Sequence, residues 1–255
     1  MFVNITFLGT GTSQGVPMIG CTCAVCTSAD PKDNRLRSAV WLRNEETSVV
    51  IDSGPDFRYQ MLRAKVQTLD GIVFTHGHKD HVAGLDDVRA YNYWTQKDID
   101  IFANADTETV LRREFHYAFS NLQYPGLPQL KIHTLSGQDF EVGNLTFKTI
   151  KTLHYKLEVY GYRIGDFTYI TDANYIAPEE LEKIKGSKIL VLNALRHEEH
   201  ISHFTLSQAI AIAREVGATQ TYFTHISHQL GLHEEVNREL PEGMALAYDG
   251  LTLNL

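Results

Sequence analysis

No stretch of the 255-residue chain approaches the ~18 consecutive apolar residues that a membrane-spanning helix needs, so no membrane partner is expected. Positive charge is also short: 23 Lys and Arg stand against 31 Asp and Glu, a formal net charge of −8. That balance lacks the electrostatic footprint of a protein that grips long nucleic acid, and a nucleic-acid partner is not expected either. The opening Met-Phe-Val-Asn-Ile-Thr-Phe-Leu-Gly carries no basic start and no apolar signal core, which makes the cytoplasm the expected compartment. Cysteine is scarce and oddly placed. All three lie between Cys21 and Cys26, too few for a disulfide framework, and such clustering in a cytosolic chain points to a metal. Low-complexity tracts, short repeats and an obvious linker are missing, so one domain over 1–255 is expected. At 43% hydrophobic and 21% charged residues the composition is that of a folded chain and excludes a disordered one.

Short β-rich runs alternate with helical ones. Strands are predicted at Val3–Leu8, Ala39–Arg43, Ser48–Asp52, Gly71–Thr75, Ile99–Ala103, Lys131–Leu135, Leu145–Thr152, Val159–Ile164, Phe167–Thr171, Lys188–Asn193 and Thr219–Thr224. A closing hairpin is predicted over Met244–Leu253, turning at Asp249-Gly250. Helices are predicted over Pro55–Ala64, Asp106–Ala118, Pro178–Lys185, Thr205–Val216 and His233–Leu240, with Asn121–Gln129 as a surface loop. Thr205 and Gln208 have capping-box spacing, and Gly217 suits the other end of that helix. Strands and helices in both halves imply an α/β fold of two mixed sheets packed face to face with helices outside.

The sharpest chemical signal is Gly-Ile-Val-Phe-Thr-His76-Gly-His78-Lys-Asp80-His81. A strand of β-branched and aromatic residues runs into a loop with three imidazoles and a carboxylate, ligands that suit zinc, manganese or iron. Four such groups in six residues cannot easily reach one ion, but two neighbouring ions could share them. Chance histidines on a polar loop would rarely follow a buried strand at this density.

His76-x-His78-x-Asp80-His81 resembles the signature of the metallo-β-lactamase superfamily, whose fold is a four-layer αβ/βα sandwich. Further residues match that pattern in order: Asp52 at the end of Val-Val-Ile-Asp52, His154 after Ile-Lys-Thr-Leu, Asp172 after Tyr-Ile-Thr, and His225 after Tyr-Phe-Thr. The resemblance implies His76, His78, His154 and Asp172 on one divalent ion and Asp80, His81, His225 and Asp172 on the other, with Asp52 supporting the site from behind. Taken alone, His154 and Asp172 would more often be an ordinary strand-end histidine and a turn aspartate; the loop upstream reverses those odds.

Gly11-Thr-Ser-Gln-Gly15-Val-Pro17, leading to Cys21-x-Cys23-x-x-Cys26, and Thr224-His225-Ile-Ser-His228 resemble the phosphoribosyl cyclic phosphodiesterases of bacterial phosphonate degradation. In that subfamily such cysteines and such a histidine hold a structural zinc, which implies Cys21, Cys23, Cys26 and His228 here and a zinc loop at 21–26. A homodimer is also implied. His203-Phe-Thr resembles the His-x-Thr element of phosphodiesterase members, so His203 is expected to act as general acid or phosphate clamp.

The expected function is hydrolysis of a small, ribose cyclic phosphodiester, with water activated between two ions of Zn or Mn. Asp80 and Asp52 serve that site beside His203. Three readings compete: a tRNA 3′-end endonuclease, thioester or lactone hydrolysis, against which the His203 region speaks, and a non-catalytic cofactor-biosynthesis relative of the same fold. Gly9-x-Gly11-x-x-x-Gly15 reads as a tight turn rather than a phosphate cradle, and His197-Glu-Glu-His200 as a solvated segment. Tyr91, Tyr93 and Trp94 read as packing or an interface.

Overall fold

The computed structural model describes residues 3–120 and 126–255. Part of the loop expected at Asn121–Gln129 lies outside the described residues. The chain first lays down β1 (Asn4–Gly9), β2 (Ala39–Arg43), β3 (Ser48–Ile51), β4 (Gly71–Val73), β5 (Ile99–Asn104) and β6 (Leu130–Leu135). It continues with β7 (Phe140–Val142), β8 (Leu145–His154), β9 (Leu157–Ile164), β10 (Phe167–Tyr169), β11 (Tyr175–Ile176), β12 (Ile189–Asn193), β13 (Gln220–Thr224) and β14 (Met244–Leu246), and returns with β15 (Thr252–Asn254). One sheet runs in the order β15-β1-β2-β3-β4-β5-β6. The other runs β11-β8-β9-β10-β12-β13-β14, with β7 paired to β8. Both mix parallel and antiparallel neighbours, as expected for the sandwich.

Strand alternation builds the layers. Ile5, Phe7, Val40, Leu42, Val49 and Ile51 join Phe147, Tyr162, Tyr169 and Val191 in one core between the sheets. Their neighbours Leu8, Trp41 and Val50 point the other way, into a second core with helices α1 (Phe57–Ala64), α3 (Arg89–Thr95) and α4 (Ala105–Glu114). A third core sets Leu190, Leu192 and Phe223 against α5 (Pro178–Ile184), α6 (Leu206–Val216) and α7 (His233–Glu239). Helix, sheet, sheet, helix: the four-layer αβ/βα metallo-β-lactamase architecture is observed.

Local chemistry explains the element ends. The Thr205 side chain accepts from the Gln208 amide, and the Gln208 side chain accepts from the Thr205 amide, which closes the capping box of α6; Gly217 ends it at φ 69°. Asn104 caps α4 by accepting from the Thr107 amide, so the helix begins before Asp106. The helix expected from Pro55 starts at Phe57, and the Asp56 carboxylate accepts from the Arg37 amide instead of capping.

The closing hairpin is a correction. β14 runs parallel to β13 in one sheet, whereas β15 runs antiparallel to β1 in the other. The Asp249-Gly250 turn therefore carries the chain between sheets. The Asp249 carboxylate accepts from the Leu36 amide (2.9 Å) and the Thr10 hydroxyl (2.8 Å), contacts across the sandwich that outweigh a local turn preference. Two short helices, α2 (Lys79–Val82) and α3, also fall where no helix was predicted. Among the described residues no helix is long and apolar enough to cross a membrane.

Candidate functional site

Every residue of the His-x-His-x-Asp-His loop, with Asp52, His154, Asp172, His203 and His225, converges at one end of the sandwich. The cluster residues come from strand ends. Asp52 follows β3, His154 ends β8, and His225 follows β13. Asp52, Asp172 and His225 adopt φ of 64°, 54° and 55°, and Tyr155, after His154, adopts 58°. Left-handed backbone at four non-glycine positions around one site is the clustered strain that turns side chains sharply inward off their strands. Two glycines, missed from sequence, let the histidine loop seat on β3. A Cβ on Gly54 would lie 2.0 Å from the Asp80 carbonyl, and one on Gly84 2.2 Å from the Gly54 carbonyl.

Two ligand sets emerge, His76, His78, His154 and Asp172 in one, Asp80, His81, Asp172 and His225 in the other. Within each set the donor atoms lie within 4.8 Å of one another, a spacing compatible with metal bonds of ~2 Å. Asp172 belongs to both. Its Oδ2 lies 3.7 Å from His76 Nε2, while its Oδ1 lies 3.0 Å from His225 Nδ1 and 3.4 Å from His81 Nε2. One carboxylate thus offers an oxygen to each set.

Surrounding hydrogen bonds fix which nitrogen is left for a cation. His81 Nδ1 donates to Asp52 Oδ2 (2.7 Å), and His154 Nδ1 donates to the Ser202 carbonyl (2.8 Å). Thr75 donates to Asp52 through its amide (2.9 Å) and hydroxyl (2.8 Å), so that hydroxyl accepts from His76 Nδ1 at 3.1 Å. His76 Nε2 then faces His78 Nδ1 at 2.9 Å. His81 Nε2 is buried with no hydrogen-bond partner among the described residues, beside Asp80 Oδ2 at 3.2 Å. An orphaned ring nitrogen among carboxylates fits a divalent ion well. Asp52 is wholly buried behind His81 and orients it rather than reaching the ions. Ser38 and Thr12, unnoticed in the sequence, flank His225 with their hydroxyls 3.3 Å from its Nδ1 and Nε2.

Charge follows the same logic. Burial opposes ionisation of Asp172, but the His225 and His81 imidazoles outweigh it and hold that carboxyl well below its usual range. For His81, burial is overcome by Asp80, Asp172 and Asp52, which push it well above an ordinary histidine. Burial lowers His76 and His154.

His203 is 8% exposed, and its ring centroid lies 4.6 Å from that of His154 and 4.8 Å from that of His225. It thus touches one member of each set. Burial first, then the neighbouring imidazoles, hold it down to about 3, and its Nδ1 has no hydrogen-bond partner among the described residues.

The cysteine group forms separately, on the loop between β1 and β2. Cys21 and Cys23 Sγ lie 3.5 and 3.3 Å from His228 Nδ1, and Cys26 completes the set. The Cys26 amide, then His228, hold the Cys23 thiol down to about 6, whereas burial pushes Cys26 up to about 11. Three sulfurs and an imidazole are a closed set that fits tetrahedral zinc. The loop lies against the turn carrying His225: Gly11 bridges to Ile226, and the Thr12 amide donates to the Ile226 carbonyl at 3.1 Å.

Tyr91 packs inward and donates its hydroxyl to the Val66 carbonyl, while Tyr93 and Trp94 are 69% and 79% exposed. They lie on α3, and the cavity that Tyr91 and Trp94 line holds none of the cluster residues.

Residues 47–226 match the family described as the beta-lactamase superfamily domain. The crystal structure of a diphosphatase from the PhnP family superposes with a TM-score of 0.94 at 44% identity, covering 100% of this chain and 98% of that one. The chain belongs to the beta-lactamase superfamily, and within it to the PhnP family. This PhnP-family chain is also 38% identical to an octanoyltransferase of Porphyromonas gingivalis over 96% of its own length and 50% of that protein. It is 28% identical to ribonuclease Z of a Nostoc species, over 64% of its own length and 47% of that protein. It therefore spans about half the length of these two curated relatives. The superfamily and the His/Asp cluster agree on a metallo-β-lactamase fold whose residues could hold divalent ions.

Proposed function

We propose that the protein is a dinuclear metal-dependent phosphodiesterase acting on a small, ribose cyclic phosphodiester. The observation that carries this reading is Asp172, whose two oxygens face the two ligand sets. His76, His78 and His154 would hold one ion, Asp80, His81 and His225 the other. Bound Zn or Mn would supply a water acidified to near neutral pH and positive charge to offset the phosphoryl oxygens. The residues of the chain supply the rest. Asp52 and Thr75 keep His81 and His76 in their ligating tautomers. His203, set against both ligand sets, would hold the scissile phosphate or give a proton to the departing alkoxide. The Cys21, Cys23, Cys26 and His228 set would hold a structural zinc.

A small substrate suits the net charge of −8, which disfavours a long polyanion. The ribonuclease Z match favours tRNA as a second reading, and the octanoyltransferase match adds an acyl thioester as a substrate to exclude. Turnover by the metal-loaded protein of ribose cyclic phosphates, linear diesters, monoesters, precursor tRNA and an octanoyl thioester tests the choice. Cyclic phosphate should lead; preference for precursor tRNA or for the thioester overturns the proposal.

A further inference from the structure

Beside the cluster lies a cleft of about 400 Å³ that no step above uses. His203 and His200 form the wall shared with the cluster, their ring centroids 5.1 Å apart. Thr12, Gln14, Arg196 and Gln229 also line the cleft. His200, expected to be merely solvated, lines this cleft. Its Nδ1 accepts from the Ser202 amide at 3.3 Å, which leaves Nε2 as a donor in the neutral ring.

Arg196 is the unusual member. Its guanidinium is held in a collar of neutral acceptors: Nη1 donates to Gln229 Oε1 at 2.8 Å, Nη2 to the Glu199 carbonyl at 3.0 Å, and Nε to the Glu198 carbonyl at 3.3 Å. None of these is a carboxylate. The collar fixes the fork while leaving its charge unneutralised, and two of the five N–H donors remain. A half-buried, pre-oriented guanidinium beside a site for phosphate chemistry is matched to a second anion. His203 lines the same cleft.

From this geometry we infer that Arg196 is a specificity-determining residue. With His200 Nε2 it binds a second phosphoryl group of the substrate, one covalently tethered to the scissile phosphate. Gln229 is the positioning residue that aims it. Because Gln229 directly follows His228, the cysteine-histidine set and the anion clamp share one turn of chain. The inference rests on the phosphodiesterase reading for the meaning of the bound group, but its test does not need turnover.

The experiment compares binding of inorganic pyrophosphate and inorganic phosphate to the metal-loaded protein by titration calorimetry. The ratio of the two Kd values measures the second phosphoryl site. Arg196→Gln should reduce the pyrophosphate preference roughly 10–100-fold, the range expected for hydrogen bonds to a charged group. Arg196→Lys should recover part of it, and Gln229→Ala should lower it by a smaller factor with metal content unchanged. A preference equal to wild type in Arg196→Gln overturns the inference; should that variant not fold, an unchanged preference in Gln229→Ala does so. Turnover separates the two proposals. A protein that hydrolyses no phosphodiester but loses its pyrophosphate preference in Arg196→Gln keeps the clamp and loses the proposed function.

Discussion

The two metal-ligand groups differ in who builds whom. At the His/Asp cluster, ligands arrive from the end of β8 and from the segments after β4, β10 and β13, far apart in sequence. Asp52, Thr75, Ser38 and the Ser202 carbonyl give the ring nitrogens partners of their own. At the cysteine group, three of four ligands sit between Cys21 and Cys26 on a partly exposed loop. Their support there is backbone: the Cys26 amide on Cys23 Sγ (3.5 Å) and the Met18 amide on Cys26 Sγ (3.4 Å). In the first group the fold arranges the ligands. In the second, the ligands would arrange the loop. Metal removal should therefore separate the two, costing activity at one and stability at the other.

The largest effect is expected at the shared carboxylate. Asp172→Asn keeps a side chain that tolerates φ near 54° but weakens both ion sites. Turnover should fall by about 10⁴-fold or more, in the range lost when a catalytic unit is broken, while thermal unfolding of the zinc-loaded protein stays within a few degrees of wild type. A large drop in Tm would mean that the cluster also builds the fold, and would erase the contrast.

Next comes His203→Ala, expected to keep both catalytic ions and to lose roughly 10²–10⁴-fold in turnover. The loss should shrink on a nitrophenyl diester, whose leaving group departs without a proton. Equal losses on both substrates would assign His203 to phosphate binding; no loss on either would make it a packing residue.

Cys23→Ser should act in the opposite way. Binding energy at a structural site is folding energy, so a clear loss in unfolding free energy is expected, with much of the turnover retained at low temperature. Chemical denaturation with metal analysis checks this. A variant that keeps its zinc and its Tm would remove the structural role.

The smallest effect concerns the ground behind the loop. Burial, then the Arg35 guanidinium 3.0 Å away, hold His233 down to about 4, while its amide donates to Asp33 beyond the cysteines. The folded state therefore binds fewer protons here than the unfolded chain. Stability from this site is complete above pH ~6.5 and is lost as pH falls toward 4, by up to about 2 kcal/mol. His233→Gln should flatten the fall in unfolding free energy between pH 7 and 5; an unchanged slope would show that the anchor titrates elsewhere.

The legible parts of the molecule were those written in contiguous residues. His76 to His81 and Cys21 to Cys26 each announce a ligand set within one loop, and β-branched runs announce β3, β4 and β12. His154, Asp172 and His225 became legible only through resemblance, since a strand-end histidine or aspartate has no local signature. Ser38, Thr12, Gly54 and Gly84 stayed hidden, because their work is to allow close approach between segments distant in sequence. The closing strands failed for a related reason: a turn at Asp249-Gly250 specifies a reversal of the chain, but not which sheet takes each arm.

Metal content per chain tests the central contrast most directly. After reconstitution, elemental analysis should find three divalent ions per chain, two removed by a mild chelator with loss of turnover and one retained as zinc until the protein unfolds. Fewer than two ions per chain, or release of all of them together with unfolding, would contradict it.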